Sequence, residues 1–166
     1  MGLPMGGIGS LFSARLRETL FLRAWAFRNI RLLSYLSPSV VEFSKARCVI
    51  RIPLKRRTRN HLGSMYFGAL CAGADSAAAY LVLKTSGGAG GLSVIFKDVR
   101  AEFLKRAEGD VFFSCEQGRE IAELFLRARE SGNRESLPVH VVATVPSKLG
   151  EEPVARFQLT LSAKRR

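Results

Sequence analysis

The sequence predicts an α+β domain in which an antiparallel sheet is wrapped around one long central helix, with extra helices at the amino terminus. Residues 62–83 are apolar on all sides of a helix, and Asp75 is the one acid among them. Such a helix must be enclosed. Strand-like runs follow it, and the last, residues 155–163, alternates between apolar and polar residues. One face of the sheet is therefore buried, and the helix covers it.

A lipid bilayer is the other environment that could enclose this helix, since a membrane-spanning helix needs about 20 consecutive apolar residues. The strands argue against a bilayer because they would then lack a core. Asp75 also argues against it, because a charged side chain at mid-bilayer costs about 2.5–3.5 kcal/mol on insertion scales. The length of 166 residues and the 47% hydrophobic content are typical of one globular domain.

The amino-terminal segment, residues 1–36, is predicted to form two amphipathic helices after a loose, glycine-rich start over residues 1–9. Ser37-Pro38-Ser39 ends the helices, and the main domain takes residues 37–166. The helices are rich in arginine and poor in acids. This leaves two interpretations open: helices packed on the main domain, or an arginine-rich transit or membrane-surface segment.

The strands of the main domain are predicted from runs enriched in β-branched and aromatic residues. These runs are residues 40–43, 47–54, 94–104, 111–115, 139–145 and 155–163. Residues 105–110 have the composition of a turn. We therefore expect the third and fourth strands to pair as a hairpin.

The helices of the main domain have recognisable ends. Ser64 is expected to cap the central helix, which would begin near Met65. Residues 86–91 are rich in glycine and are expected to form a flexible connection after it. Residues 120–131 place apolar side chains at helical spacing, and Gly132 can terminate that second helix.

The net charge of +12 is concentrated in residues 1–60, which carry twelve Lys and Arg against two acids, whereas residues 61–166 carry fourteen against twelve. Local basicity suits an anionic ligand, a membrane surface or a targeting segment. A nucleic-acid module would usually add exposed aromatic residues on a basic face, and no zinc-finger or helix-turn-helix signature is present. We expect no nucleic-acid partner and retain contact of the amino-terminal helices with a membrane surface as an alternative.

The three cysteines, Cys48, Cys71 and Cys115, lie in apolar runs without a Cys-x-x-Cys pair and are interpreted as buried hydrophobic residues. They suit a reducing compartment. We expect a cytoplasmic protein, or a mitochondrial one if the source is eukaryotic. His61 and His140 are isolated, so no metal site and no redox cofactor are predicted.

The order strand, apolar helix and then four long strands resembles the hotdog fold, and the helix motif resembles the acyl-CoA thioesterase superfamily built on it. In phenylacetate-pathway-type thioesterases an Asn is followed six residues later by His-Gly-Gly, and an Asp comes nine residues after that His. Asn60, Tyr66-Phe67-Gly68 and Asp75 stand at those spacings. A related uncharacterised thioesterase-like family reads Arg-Asn-x-x-Gly-Thr-His-Phe-Gly-Gly, which residues 59–68 approach closely. The resemblance covers about residues 40–163.

The resemblance implies hydrolysis of an acyl-CoA thioester, with Asn60, Gly68 and Asp75 as the catalytic set. Backbone N–H groups around Tyr66 to Gly68 lie in the first turns of the helix, where free donors and the helix dipole favour an oxyanion. Asp75 would act as general base or as nucleophile. Asn60 would orient the water or the substrate carbonyl. The resemblance also implies a homodimer or a dimer of dimers, in which the Asp of one subunit faces a thioester held partly by the other.

The remaining predicted site residues bind substrate. Met65, Tyr66 and Phe67 stand at the helix start, where these families carry a His, and Arg56, Arg57 and Arg59 could grip the phosphates of coenzyme A. Coenzyme A enters as part of the substrate, and no other cofactor is expected.

Structural interpretations stay open beside these roles. The carboxylate at position 75 could be hydrogen-bonded in the core, Asn60 could form a turn, and Gly68 could serve helix packing. The arginine run could be a solvated loop. The alternative function is a hotdog protein that binds acyl-CoA or fatty acyl chains without catalysis, which the missing His and the apolar residues at the helix start favour.

Overall fold

The structure is a computed structural model that describes residues 7–85 and 90–166, with the side chains of residues 7–12 outside that description. The expectations for residues 1–6 and for residues 86–89 of the glycine-rich connection lie outside the described residues. Residues 7–9, expected to be loose, belong to the first helix.

The elements in chain order are α1 (Gly7–Asn29), α2 (Arg31–Leu36), β1 (Ser39–Phe43), β2 (Cys48–Ile52), α3 (Phe67–Thr85), β3 (Leu92–Phe103), β4 (Val111–Cys115), α4 (Gly118–Ser131), β5 (Glu135–Thr144), α5 (Pro146–Leu149) and β6 (Pro153–Arg165).

Within the described residues, six strands form one sheet in the order β1-β2-β4-β5-β6-β3. Every neighbouring pair is antiparallel. α3 packs against β2, β4, β5 and β6. The predicted architecture, an antiparallel sheet around a long central helix with helices before it, is confirmed.

The predicted hairpin between the strands at residues 94–104 and 111–115 is wrong. β3 pairs with β6 at one edge of the sheet, whereas β4 lies between β2 and β5. The connection from β3 to β4 is tied to other parts of the chain, since the Leu104 N–H donates to the Val154 carbonyl and the Ala107 carbonyl accepts from the Met65 N–H, both at 2.8 Å. A turn-like composition shows that the chain changes direction there. It does not show which strands pair.

The central helix α3 is enclosed as its composition predicts, with mostly small and aliphatic residues buried along it. Gly73 makes room for the sheet, because a β-carbon there would collide with the ring of Phe113 on β4. The predicted cap is wrong, since α3 begins at Phe67 rather than Met65. Ser64 lies in the preceding loop, where its side chain is hydrogen-bonded to Asn60.

The amino-terminal helices pack on the main domain, as the first of the two interpretations predicts. Leu22, Ala26, Leu33 and Leu36 are buried in the same core as α3 and the sheet. The division between residues 36 and 37 therefore falls at the end of α2. The separation of the chain into an amino-terminal segment of residues 1–36 and a main domain of residues 37–166 stays a prediction.

A polar contact fixes α1 to the last turns of α3. The Lys84 ammonium lies 2.6 Å from the Glu18 carboxylate, and the Tyr80 hydroxyl donates to the same carboxylate. Burial raises the pKa of Glu18, but the hydrogen bonds from Lys84 and Tyr80 outweigh burial and hold it below its usual value. The one acid of α1 is therefore turned towards the core.

The later elements follow their local patterns. α4 buries Ile121, Leu124, Phe125 and Ala128, and Gly132 ends it in the left-handed conformation with φ of 68°. β6 alternates between buried and exposed side chains from residue 155 to 159, as predicted. In residues 7–85 and 90–166, no helix is long and apolar enough to cross a membrane.

Candidate active site

Two clefts lie along one side of α3, between the helix and the edge strand β3. The first, about 440 Å³, is lined by Cys71, Ala72 and Asp75 of the helix, by residues 96–99 of β3 and by Leu159. The second, about 610 Å³, lies at the start of α3 and is lined by residues 60–62, 64–67, 70 and 103–107. Phe67, Cys71 and Asp75 are spaced by four residues, so they share this side of the helix.

Asp75 is a half-buried carboxylate in the first cleft. Among the described residues, no hydrogen-bond donor or cation pairs with it, and burial raises its pKa. Asp98 lines the same cleft but accepts a hydrogen bond of 2.6 Å from the Thr160 hydroxyl. Asp75 therefore has the properties of a general base or nucleophile, because a carboxylate stripped of water and partners binds a proton more readily.

The first turn of α3 offers two free backbone donors. Neither the Phe67 N–H nor the Gly68 N–H donates a hydrogen bond within the described residues. The predicted set also included Tyr66, and this is wrong, because the Tyr66 N–H donates to the Thr58 carbonyl at 2.8 Å. The two remaining donors lie at the positive end of the helix dipole and suit a developing oxyanion.

The ring of Tyr66 occupies the space beside Gly68. A β-carbon at position 68 would collide with that ring, so the glycine makes room for Tyr66. The ring centroids of Tyr66 and Phe67 are 4.7 Å apart, and Phe103 of β3 lies 6.3 Å from Phe67. All three rings are about half exposed. They give the second cleft an aromatic wall, whereas Met65, which also lines it, is buried.

Asn60 organises the loop before α3. Its Oδ1 atom accepts hydrogen bonds from the backbone N–H groups of Leu62 at 3.0 Å and Ser64 at 3.2 Å, and its Nδ2 atom donates to the Ser64 hydroxyl at 3.2 Å. This is the geometry of a turn-forming Asn. Asn60 lines the second cleft, but these contacts occupy its side chain, and its catalytic role stays a prediction.

None of the predicted phosphate-binding arginines lines either cleft beside α3. Arg57 donates to the Ser37 hydroxyl and lies over the ring of Tyr35, 5.4 Å from its centroid. Arg56 and Arg59 are exposed, and neither lines a cleft beside α3. Three basic residues that the site prediction missed, His61, Lys105 and Arg106, line the second cleft instead. Lys105 and Arg106 lie in residues 105–110, whose composition predicted a turn but no site.

Asp75 and the free N–H donors of Phe67 and Gly68 lie at different positions along α3. Asp75 lines the first cleft, whereas Phe67 lines the second. Eight residues separate Phe67 from Asp75, which at 1.5 Å per residue is about 12 Å along the helix. A nucleophile and its carbonyl must approach to about 3–3.5 Å. The rise between the backbone positions of Phe67 and Asp75 is larger than this approach distance.

Acidic, His and Cys side chains do not cluster for metal binding in the part of the chain that the structure describes, where no three lie together. The prediction of a metal-free site is not tested by this observation.

Cys71 lies one turn before Asp75 in the first cleft, and burial raises the pKa of its thiol. A thiol that is harder to ionise is a weak nucleophile.

A family model for a domain of unknown function, DUF4442, matches residues 19–162. The chain belongs to this family. The DUF4442 match begins inside α1 and ends inside β6, so it includes both clefts. No curated protein matches the chain.

Solved structures share the fold of this DUF4442 chain. A Pseudomonas aeruginosa protein of unknown function, described as a probable thioesterase, is 22% identical with a TM-score of 0.76, over 89% of this chain and 96% of its own. A Haemophilus influenzae thioesterase is 16% identical with a TM-score of 0.63, over 87% and 88%. A single-substitution variant of another Pseudomonas aeruginosa thioesterase is 15% identical with a TM-score of 0.64, over 89% and 94%. The predicted hotdog fold is confirmed.

Proposed function

We propose that this protein hydrolyses the thioester of an acyl-CoA. The observation that carries the proposal is Asp75, a half-buried carboxylate without a partner among the described residues, in a cleft beside a helix whose first turn has free N–H donors. A carboxylate without a partner in an apolar cleft is destabilising, so its presence favours a chemical role. The thioesterases among the structures with this fold support the same reaction class.

The proposed reaction uses two groups of the protein. The N–H groups of Phe67 and Gly68 stabilise the negative charge that develops on the thioester oxygen. Asp75 either removes a proton from the attacking water or attacks the carbonyl itself to form an anhydride that water then hydrolyses. The coenzyme A thiol leaves in both cases. Apart from the coenzyme A of the substrate, the proposal includes no cofactor.

The active unit is proposed to be a homodimer, alone or paired into a dimer of dimers. Asp75 is about 12 Å along α3 from the donors of its own chain, so the donors of a second subunit must complete the site. The edge strand β3 supports this pairing, because Ile95, Val99 and Phe103 are about half exposed along it. Exposed apolar side chains on an edge strand form a surface that natural proteins usually cover.

The second cleft is proposed to hold the substrate. Its aromatic wall of Tyr66, Phe67 and Phe103 suits an apolar or aromatic acyl group. Lys105 and Arg106 at the same cleft are placed to meet coenzyme A phosphates, and they replace Arg56, Arg57 and Arg59 in that role. Of the two, Lys105 already pairs with Glu152, whereas Arg106 has no ion-pair partner among the described residues and is proposed to bind phosphate.

A free-thiol release assay across short, long and aromatic acyl-CoAs tests the proposal. Asp75→Asn should lower kcat by about 10²–10⁴, the usual contribution of a general base. Asp98→Asn is the matched control, since Asp98 lines the same cleft but already has a hydrogen-bond partner, and it should retain activity. Turnover that Asp75→Asn leaves unchanged would exclude the proposed role of Asp75.

The alternative function is a hotdog protein that binds acyl-CoA or a fatty acyl chain without turnover. Two observations favour this alternative. The aromatic lining of the second cleft suits an apolar ligand, and Tyr66 stands where the resembling families carry a His. Calorimetric binding of an acyl-CoA with no thiol release, unchanged by Asp75→Asn, would support this function over hydrolysis.

A further inference from the structure

We infer that α1 and α2 form a docking surface for an anionic lipid membrane. The outer surface, as we name it, consists of Leu16, Leu20, Phe27, Leu32 and Tyr35, with Arg17, Arg28 and Arg31 beside them. It is separate from both clefts beside α3. The inference goes beyond thioester hydrolysis and does not depend on it.

The apolar part of the outer surface faces solvent. Leu16 is 57% exposed, Leu20 58%, Phe27 65% and Leu32 64%. Residues 16, 20 and 27 lie within about 40° of one another around a helix that turns 100° per residue. Leu22 and Ala26, which enter the core, lie about 80–160° away from these three residues around the same helix. α1 therefore has two apolar stripes, and packing on the main domain accounts for only one.

The charge of the outer surface has one sign. Between residues 7 and 41 the chain carries five arginines and a single acid, Glu18. Glu18 is turned inward to Lys84 and Tyr80, so α1 and α2 present no acidic side chain to solvent. Arg57, which lies over Tyr35 and is bonded to Ser37, extends the basic surface. Arg57, predicted to bind phosphate of coenzyme A, is therefore part of this basic surface instead.

Charge complementarity selects a lipid surface as the occupant. In a symmetric pairing of two copies through this surface, arginines would face arginines with no acid to neutralise them. An anionic bilayer provides phosphate groups for the guanidinium groups, and its acyl boundary takes leucine and phenylalanine side chains to a depth of about 5–10 Å. Arg31 already lies over the ring of Phe27, 5.8 Å from its centroid, which places charge and apolar surface side by side.

Sedimentation of the full chain with vesicles tests the inference. Vesicles of phosphatidylglycerol with phosphatidylcholine should pellet the protein, and vesicles of phosphatidylcholine alone should not. Leu16→Ser with Leu20→Ser should weaken partitioning about tenfold. Arg28→Gln should weaken it about fivefold, since a cation near an anionic surface contributes about 1 kcal/mol. Added salt should also weaken binding, because it screens the attraction between the arginines and the anionic lipid.

Matched controls come from α4, the amphipathic helix of the main domain. Leu126 is 54% exposed, so Leu126→Ser removes a comparable leucine from outside the outer surface. Arg129 lies in the last turn of α4 as Arg28 lies in the last turn of α1, so Arg129→Gln matches Arg28→Gln. Both controls should pellet like the parent protein.

Three results would overturn the inference: no pelleting with phosphatidylglycerol, equal pelleting with both vesicle types, or variants of α1 that pellet like their α4 controls. A fourth is a loss of oligomer mass on gel filtration with Leu16→Ser and Leu20→Ser, which would make a second copy the occupant. Thermal unfolding checks that each variant is folded. Since the substituted side chains are exposed, we expect the parent melting temperature within a few degrees.

Discussion

Two inactive variants should restore each other when they share a dimer. Asp75→Asn removes the carboxylate and leaves the donors intact. Phe67→Pro removes one donor and leaves the carboxylate intact, at the first position of α3, where proline is well tolerated. The first change should lower kcat by about 10²–10⁴ and the second by about 10²–10³, the loss expected for one oxyanion donor. Phe67→Ala keeps the N–H and serves as control for the lost ring.

The gain on mixing follows from the separation of about 12 Å along α3. In a mixed dimer, the Asp75 of the Phe67→Pro subunit meets the intact donors of the Asp75→Asn subunit. The opposite site of the mixed dimer lacks both the Asp75 carboxylate and the Phe67 N–H. Random exchange of equal amounts makes half of the dimers mixed, and each has one working site of two, so the mixture should reach about a quarter of parent activity in a C2 dimer.

The assay is thiol release from an acyl-CoA after co-expression of the two variants with different affinity tags. Native mass spectrometry measures the fraction of mixed dimers. If mixed dimers are present and the rate stays at the average of the two separate variants, the site lies within one chain and the reasoning from the helix spacing is wrong. A mixture of Phe67→Pro with Phe67→Ala is the negative control for complementation, since it should show no gain above the average of its components.

The remaining predictions concern pH and stability. Because burial raises the Asp75 pKa, kcat/KM should fall with decreasing pH at a higher pH than an exposed Asp would give. The ionised form is destabilising above that pKa, so Asp75→Asn should raise the melting temperature at neutral pH, with the gain vanishing in acid. Tyr80→Phe removes a hydrogen bond to the Glu18 carboxylate, worth about 1.5–3 kcal/mol, and should lower the melting temperature by roughly 3–12 °C. Because the folded pKa of Glu18 is lowered, that loss should shrink as pH falls through it; a constant loss would contradict the assigned contact. Gly73→Ala should destabilise by about 1–3 kcal/mol in denaturant titrations, since its β-carbon collides with Phe113.

The sequence predicted the elements better than it predicted their pairing. Apolar residues without interruption identify α3, and alternation identifies β6, because both patterns reflect how neighbouring residues point. The partner of β3 could not be inferred from its turn-like ending, since strand order depends on contacts between distant parts of the chain. For the same reason Ser64 looked like a helix cap, while its actual bonds go to Asn60.

The candidate site was predicted in part. The predicted spacing includes Phe67 and Asp75, which line the clefts beside α3, and Gly68, which lines neither. It could not show that Thr58 takes the N–H of Tyr66, or that Arg57 turns towards the amino-terminal helices. Side chains of long, flexible residues such as arginine take positions that only the assembled fold decides.

The Glu18 contact has a consequence during synthesis. Its partner Tyr80 lies 62 residues later in the chain, and at about 5–20 residues per second the ribosome needs about 3–12 s to make that stretch. During that interval the Glu18 carboxylate has neither of its partners on α3, Tyr80 and Lys84. The contact that fixes α1 to the last turns of α3 therefore forms only after residues 80–84 have been made.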